Sequence, residues 1–219
     1  MWVMYKSLMV VDDFFEDPHY VRNKGLSHLI DCHGDKIMEN SIINDDMNSH
    51  PGFTTKNFLD IDSDLNEDIV DKVSEILSVP VRMGPMFYLA SSVHECGLIH
   101  HDLSQVAGVI YLNENPPENS GTVMYDKIKS EPIELSHKIS TGYRNSAVTN
   151  NLDEIESFNK FKKECNETYY KPDCIVQNKF NRCILYNGTR WHGAHNYFGN
   201  TIFDSRLVIA FGAEYDTRD

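Results

Sequence analysis

Two histidines and an aspartate are spaced in this sequence as metal ligands are. His100-His101-Asp102 puts an imidazole and a carboxylate two residues apart. In an extended backbone, residues i and i+2 project from one face with Cα atoms about 6–7 Å apart, so both side chains can converge on one ion. A second imidazole stands far along the chain, in Trp191-His192-Gly193-Ala194-His195. Two imidazoles and one carboxylate on one side of an ion make a facial triad, which leaves coordination positions open and suits non-haem Fe(II). The chain holds 10 histidines, so a bare His-x-Asp carries little by itself. What adds weight is the apolar run Val106 to Asn113 directly after it, and the late histidine with a lone arginine, Arg206, beyond. His101 is out of phase with its neighbours and is expected to face away from the ion, in a structural or supporting role.

His192 and His195 can each close the triad. His192 lies nearer the strand expected over Arg182 to Tyr186, where the backbone is better fixed, and a ligand on a rigid element is more precise than one on a loop. Gly193 and Ala194 after it are small and leave room. His195 opens a stretch, Asn196-Tyr197-Phe198-Gly199-Asn200, with the composition of a loop. The ligand set is therefore read as His100, Asp102 and His192, with His195 lining the pocket or exposed.

The elements that must hold these residues follow from pattern. Ser7 to Phe15 reads as a strand. Asp17-Pro18 is a helix start, because Asp caps and Pro is tolerated in the first turn. Asp31 to Asn48 reads as loop, and His50 to Thr55 as a turn entering an extended segment. Asp62 to Ser78 is the clearest helix, with Leu65, Ile69, Val73, Ile76 and Leu77 at helical spacing and Pro80 after it. From Gly84 the texture changes to strands between turns: Met86 to Val93, Val106 to Asn113, Thr122 to Tyr125, Cys174 to Lys179, Arg182 to Tyr186 and Leu207 to Gly212. A helix over Leu152 to Cys165 falls inside an otherwise irregular insertion, 127–173, and 143–151 is expected to be a mobile loop. The chain is expected to be one domain over 1–219, with helical support over about 1–83 and a β core over about 84–219. A nearly closed β-sandwich can bring the ends of distant strands to one mouth, where His-x-Asp and the late histidine would have to meet.

Charge and cysteine usage narrow the class. There are 20 basic and 33 acidic residues, a net charge of −13 with histidine neutral, which repels a phosphate backbone and argues against general nucleic-acid binding. The five cysteines, an odd number with no Cys-x-x-Cys pair, argue against a disulfide framework or structural zinc and fit a reducing cytoplasm. Met1 to Phe15 has no basic segment before a long apolar run, and no stretch approaches membrane-spanning length.

In order along the chain, His100-x-Asp102, Tyr111-Leu112-Asn113 followed by Ser120-Gly121-Thr122, and Trp191-His192-Gly193-Ala194 with Arg206 beyond resemble the Fe(II)/2-oxoglutarate-dependent dioxygenases, most closely the prolyl 4-hydroxylase-like branch. The resemblance spans roughly Met86 to Tyr215. It implies a mainly β fold, a double-stranded β-helix or jelly roll with supporting amino-terminal helices. It also implies Fe(II) on His100, Asp102 and His192, and 2-oxoglutarate and O2 as co-substrates. Arg206 would meet the distal carboxylate of 2-oxoglutarate, a task its planar fork suits. Tyr111 matches a family tyrosine that donates to the same carboxylate, and Tyr88 is a further candidate. The implied reaction hydroxylates a C–H bond of a peptide, a protein side chain or a small metabolite, releasing succinate and CO2. Two features depart from the pattern: Arg206 lies fourteen residues after His192, and the 127–173 insertion carries no substrate signature.

Three other classes compete. A cupin-like protein could hold a metal or a carboxylate ligand without turnover. A zinc hydrolase lacks an acidic general base beside the histidines. A nucleic-acid demethylase is disfavoured by the charge, although Lys160-Phe161-Lys162-Lys163 supplies a local basic patch, which otherwise reads as a solvated helix face. Substrate identity and oligomeric state leave no mark in the sequence.

Overall fold

The structure, a computed structural model, describes residues 8–34, 52–130 and 152–217. The first strand, β1 (Leu8–Val11), is shorter than expected, because Asp13 takes a left-handed φ of 56° that ends the extended run before Phe14 and Phe15 are buried. Helix α1 (Pro18–His33) starts where the sequence caps it: the Asp17 carboxylate accepts from Tyr20 N at 2.9 Å, and proline fills the first turn. After β2 (Phe53–Thr54) and a single turn, α2 (Phe58–Ile61), comes α3 (Ser63–Leu77). Asp62 caps α3 through Leu65 N, and the helix stops at Ser78, which takes a left-handed φ of 54° two residues before Pro80. Leu65, Ile69 and Val73 are buried, and Ile76 and Leu77 pack against the same core.

The remaining elements are β3 (Val81–Met83), β4 (Met86–Ala90), a 3-10 turn (Ser92–His94), β5 (Val106–Tyr111), β6 (Gly121–Lys127), α4 (Leu152–Tyr169), β7 (Tyr170–Gln177), β8 (Cys183–Asn187), β9 (His192–His195) and β10 (Arg206–Tyr215). Among the described residues all strand pairs are antiparallel. A seven-stranded sheet has the order β1-β8-β5-β10-β4-β2, with β3 on the carboxyl end of β10, and a three-stranded sheet has the order β7-β6-β9. The fold is thus mainly antiparallel β with few helices.

Side-chain alternation divides the core in two. On the helix side of the large sheet, Val106 and Ile110 of β5 and Leu207, Ile209 and Phe211 of β10 join Leu29, Phe58, Ile69 and Val73. On the other side, Ala107, Val109 and Tyr111 of β5 and Val208 of β10 meet Met124 and Val176 of the small sheet. Every residue of β5 is buried, which accounts for an apolar run without polar alternation. Gly108 is required by packing: a Cβ there would lie 2.2 Å from the Phe211 ring.

Some expectations shift. β4 ends at Ala90, not Val93, because the chain turns into the 3-10 segment. Helix α4 runs to Tyr169 and passes directly into β7, so much of the insertion is ordered secondary structure. Strand β9 was not anticipated. Lys160 and Lys163 are exposed, but Lys162 is 2% exposed, so the basic patch is not a uniformly solvated face. The loop expected at 143–151 and most of the polar stretch 31–48 lie outside the described residues. Among the described residues, no helix is long and apolar enough to cross a membrane.

Candidate metal centre

His100 and His192 are brought together by backbone pairing before their side chains are considered. His100 N donates to His192 O at 2.9 Å and His192 N donates to His100 O at 2.8 Å, an antiparallel bridge outside the long ladders. His192 itself is fixed by β9, which pairs with β6 through Met124↔His192 to Gly121↔His195. Asp102 N donates to Gly188 O at 2.7 Å, which keeps the His-x-Asp segment extended and both side chains on one side.

The rings are oriented by carbonyls. His100 Nδ1 lies 2.9 Å from Leu98 O, and His192 Nδ1 lies 2.8 Å from Arg190 O. A carbonyl oxygen only accepts, so in each ring Nδ1 carries a hydrogen and Nε2 is the atom turned to the site. Both Nε2 atoms face the Asp102 carboxylate: His100 Nε2 is 3.6 Å from Oδ1 and His192 Nε2 is 3.6 Å from Oδ2. One donor atom from each of the three residues lies within 4.8 Å of the others, a set that could hold a metal ion. Burial raises the Asp102 carboxyl above its ordinary range, with His100 and His101 pulling it back.

His195 is directed elsewhere. On β9, His192 and Ala194 face the cavity, whereas Gly193 and His195 alternate away. His101 is exposed and meets the Trp191 ring edge-on at 4.7 Å. The neighbours of the two bridged histidines thus clasp each other on the outside of the centre. Lys127 Nζ lies 4.4 Å from the Trp191 ring centroid and adds to that contact.

The triad lines a cavity of about 520 Å³ between the sheets, and Arg206 lies in the same wall. Arg206 is 3% exposed, and its guanidinium carbon sits 5.8 Å from the ring centroids of both Tyr111 and Tyr197. Among the described residues its guanidinium meets no carboxylate, and its Nε is wholly buried with no hydrogen-bond partner. The other arginines near this end of the sequence are engaged: Arg182 with Asp12 and Gln177 O, Arg190 with Asp173.

The two tyrosine candidates are placed differently. Tyr111 is fully buried, and its hydroxyl donates to Thr122 Oγ1 at 2.6 Å; Thr122 lines the cavity and Tyr111 does not. Burial pushes the Tyr111 phenol up to about 12, with Arg206 opposing. Tyr88 does line the cavity, its hydroxyl 3.2 Å from that of Tyr197. Tyr186 and Tyr197 are cavity residues that sequence reading passed over. Tyr186 lies near the end of β8 with its ring 4.7 Å from that of His192, and Tyr197 falls in a stretch that reads as loop. Only their aromatic character could have marked them.

The long interval from His192 to Arg206 is taken up by a capped turn. Asp204 accepts from Asn200 N, Thr201 N and Thr201 Oγ1, and Gly199 at φ 79° passes so close that a Cβ would lie 2.3 Å from Asp204 O. The segment before His-x-Asp is pinned from outside by α4. Lys162 Nζ donates to His94 O (2.8 Å), Cys96 O (2.6 Å) and Asn159 Oδ1 (3.1 Å), and Asn159 Nδ2 donates to Val93 O (2.9 Å).

A family of unknown function (DUF6445) matches residues 89–197, slightly under half of the chain, and the matched stretch contains the whole triad. No curated protein matches the sequence. Among solved structures, AviO1 from Streptomyces viridochromogenes Tue57 is similar at 11% identity with a TM-score of 0.56, over 99% of this chain and 93% of that one. HygX from Streptomyces hygroscopicus, solved with nickel and 2-oxoglutarate bound, is similar at 12% identity with a TM-score of 0.54, over 96% of this chain and 83% of that one. HygX has also been solved with nickel, 2-oxoglutarate and hygromycin B, at the same identity and TM-score. At these identities the likeness is one of fold: this chain has the fold of AviO1 and HygX.

Proposed function

We propose that this chain is an Fe(II)- and 2-oxoglutarate-dependent oxygenase of the prolyl 4-hydroxylase-like branch, one jelly-roll domain over 1–219. It would act on a small molecule, a peptide or a protein side chain in a reducing cytoplasm. The observation that carries the reading is a buried arginine, with no carboxylate partner among the described residues, in the same cavity as an open two-histidine, one-carboxylate set. An unpaired charge out of water is costly, so a guanidinium kept there calls for an anion. A dicarboxylate that chelates the metal at one end and meets Arg206 at the other answers that need. The shared fold with HygX, which binds nickel and 2-oxoglutarate, is consistent with it.

The residues present fit the group. Each imidazole has Nδ1 tied to a carbonyl and turns Nε2 toward the Asp102 carboxylate, so Nε2 is the atom each ring would offer a metal. His100, Asp102 and His192 would hold Fe(II) on one face. When bound, the iron supplies the coupling of O2 reduction to oxidative decarboxylation of 2-oxoglutarate, so that R–H, 2-oxoglutarate and O2 give R–OH, succinate and CO2. The chain's own part is positional. Arg206 fixes the far carboxylate, and the Tyr111 and Tyr197 rings hold the guanidinium in place. The apolar sheet faces exclude bulk water. The net charge of −13 argues against a nucleic-acid substrate.

Anaerobic titration with Fe(II) and then 2-oxoglutarate, followed by succinate measurement in air, tests the reading. Ordered binding of both with succinate formation supports it. Tight metal binding with no affinity for 2-oxoglutarate and no succinate would favour a cupin-like binding protein instead.

A further inference from the structure

We propose that the substrate presents an uncharged, largely apolar group to the metal centre. The inference rests on the oxygenase reading and concerns the part of the cavity that reading leaves over. Setting tyrosines aside, the ionisable side chains that line the cavity among the described residues are His100, Asp102, His192 and Arg206. Metal and co-substrate use all four. The rest of the wall is dominated by Met86, Leu98, Leu103, Val109, Val208 and Ala210.

Several hydroxyls of that wall are already engaged. Tyr88 and Tyr197 bond each other, and Thr122 accepts from Tyr111. A substrate ammonium or carboxylate entering here would lose its water and find no opposite charge left to meet. The acidic surface adds a long-range bias against anions. The mouth repeats the pattern. Leu103, the residue after Asp102, is 94% exposed and still lines the cavity, an apolar rim that only an apolar partner would cover to advantage.

Three probes of similar size and different charge separate the possibilities: benzyl alcohol, benzoate and benzylamine, titrated calorimetrically into the full chain loaded with Ni(II) and saturating 2-oxoglutarate. The expected order is benzyl alcohol at least tenfold tighter than either ion. Benzoate or benzylamine binding as tightly, or no binding of benzyl alcohol, overturns the proposal. A protein that fails to bind 2-oxoglutarate in the loading step refutes the oxygenase reading first, and that step is read separately. Leu103→Asp, at a position exposed enough to accept it, places a carboxylate on the rim. It should bring benzylamine up at least tenfold relative to benzyl alcohol while Ni(II) and 2-oxoglutarate still bind. An unchanged order in that variant also overturns the proposal.

Discussion

Arg206→Met separates binding from stability in a way few substitutions do. In the ligand-free protein the guanidinium is 3% exposed and has no counter-charge among the described residues. Replacing even a buried ion pair by apolar side chains of similar volume is often neutral or stabilising by about 1–4 kcal/mol, and a lone buried ion has no Coulombic partner to lose. The variant gives up cation–π contacts to Tyr111 and Tyr197, each about 0.5–2 kcal/mol. The two effects nearly cancel, so the ligand-free variant should melt within a few degrees of the parent or slightly above it. Binding of 2-oxoglutarate should behave differently. Loss of a charge-assisted, two-pronged contact costs about 3 kcal/mol, about a hundredfold in Kd. At a concentration of about 100 Kd for the parent, the ligand stabilises the parent by about 2.7 kcal/mol and the variant by about 0.4 kcal/mol. For a chain of this size each kcal/mol moves Tm by about 2–4 °C, so a shift of about 5–11 °C should shrink to about 1–2 °C. Thermal melts of the Ni(II)-loaded protein with and without 2-oxoglutarate measure both quantities. A ligand-free variant that melts about 8 °C or more below the parent would show that Arg206 is a structural ion. A parent-like ligand shift would move the carboxylate anchor elsewhere.

The remaining expectations concern the ligand set and its supports. His100→Ala, Asp102→Ala and His192→Ala should each abolish tight Fe(II) binding, whereas His195→Ala should keep it; the reverse result for the last two would reassign the triad. His101→Ala should change Fe(II) affinity by no more than about tenfold, since the edge-on contact with Trp191 is worth about 0.5–1.5 kcal/mol. Lys162→Met leaves the Cys96 carbonyl without its donor, about 1–3 kcal/mol, and the His94 carbonyl with Cys96 N alone, and should lower Tm by several degrees; an unchanged Tm would mean water replaces the ammonium freely. His94 is buried, which pulls its imidazole down to about 4. The unfolded chain takes up that proton near 6.5 and the folded chain does not until about 4, so stability falls as pH drops through that window, by about 3 kcal/mol in all. Denaturant midpoints at pH 7 and pH 4.5 should therefore differ more for the parent than for His94→Phe.

The parts of the fold that local chemistry decides were readable. Asp17-Pro18 and Asp62 mark helix starts because each supplies the acceptor that a free amide needs, and the structure places both caps where the sequence has them. The stripe Leu65, Ile69, Val73 is helical spacing and nothing else. Boundaries decided by tertiary packing were not readable. Val93 is apolar, yet the strand before it ends at Ala90 because the chain turns to meet α4, and no local signal announces that Lys162 waits there. Tyr169 and Tyr170 are strand-forming types, but the first ends a helix and the second starts a strand. Lys162 misleads for the same reason: flanked by Lys160 and Lys163 it looks solvated, and only the carbonyls of a distant segment make its burial tolerable.

The site divides along the same line. His-x-Asp is a local statement, since extended backbone alone puts both side chains on one face, and the hydrogen bond from Asp102 N to Gly188 O helps to hold that geometry. The third member is a non-local statement. Choosing between His192 and His195 depends on the phase of β9, and that phase is set by pairing with β6, seventy residues earlier in sequence, and by the backbone bridge to His100. A slip of one residue in that register would turn His192 outward and bring Gly193 inward, leaving two donors. The tyrosines obey the same rule. Tyr111 and Tyr88 are both strand residues directed toward the small sheet, yet Tyr111 meets Thr122 across the gap while Tyr88 meets cavity. Which hydroxyl is consumed depends on where a second sheet lies, a property no single strand encodes. The small sheet therefore does two jobs through one register: it carries His192 to the carboxylate, and it uses Thr122 to take Tyr111 out of the cavity, leaving Arg206 flanked by aromatic rings with no carboxylate to meet it among the described residues.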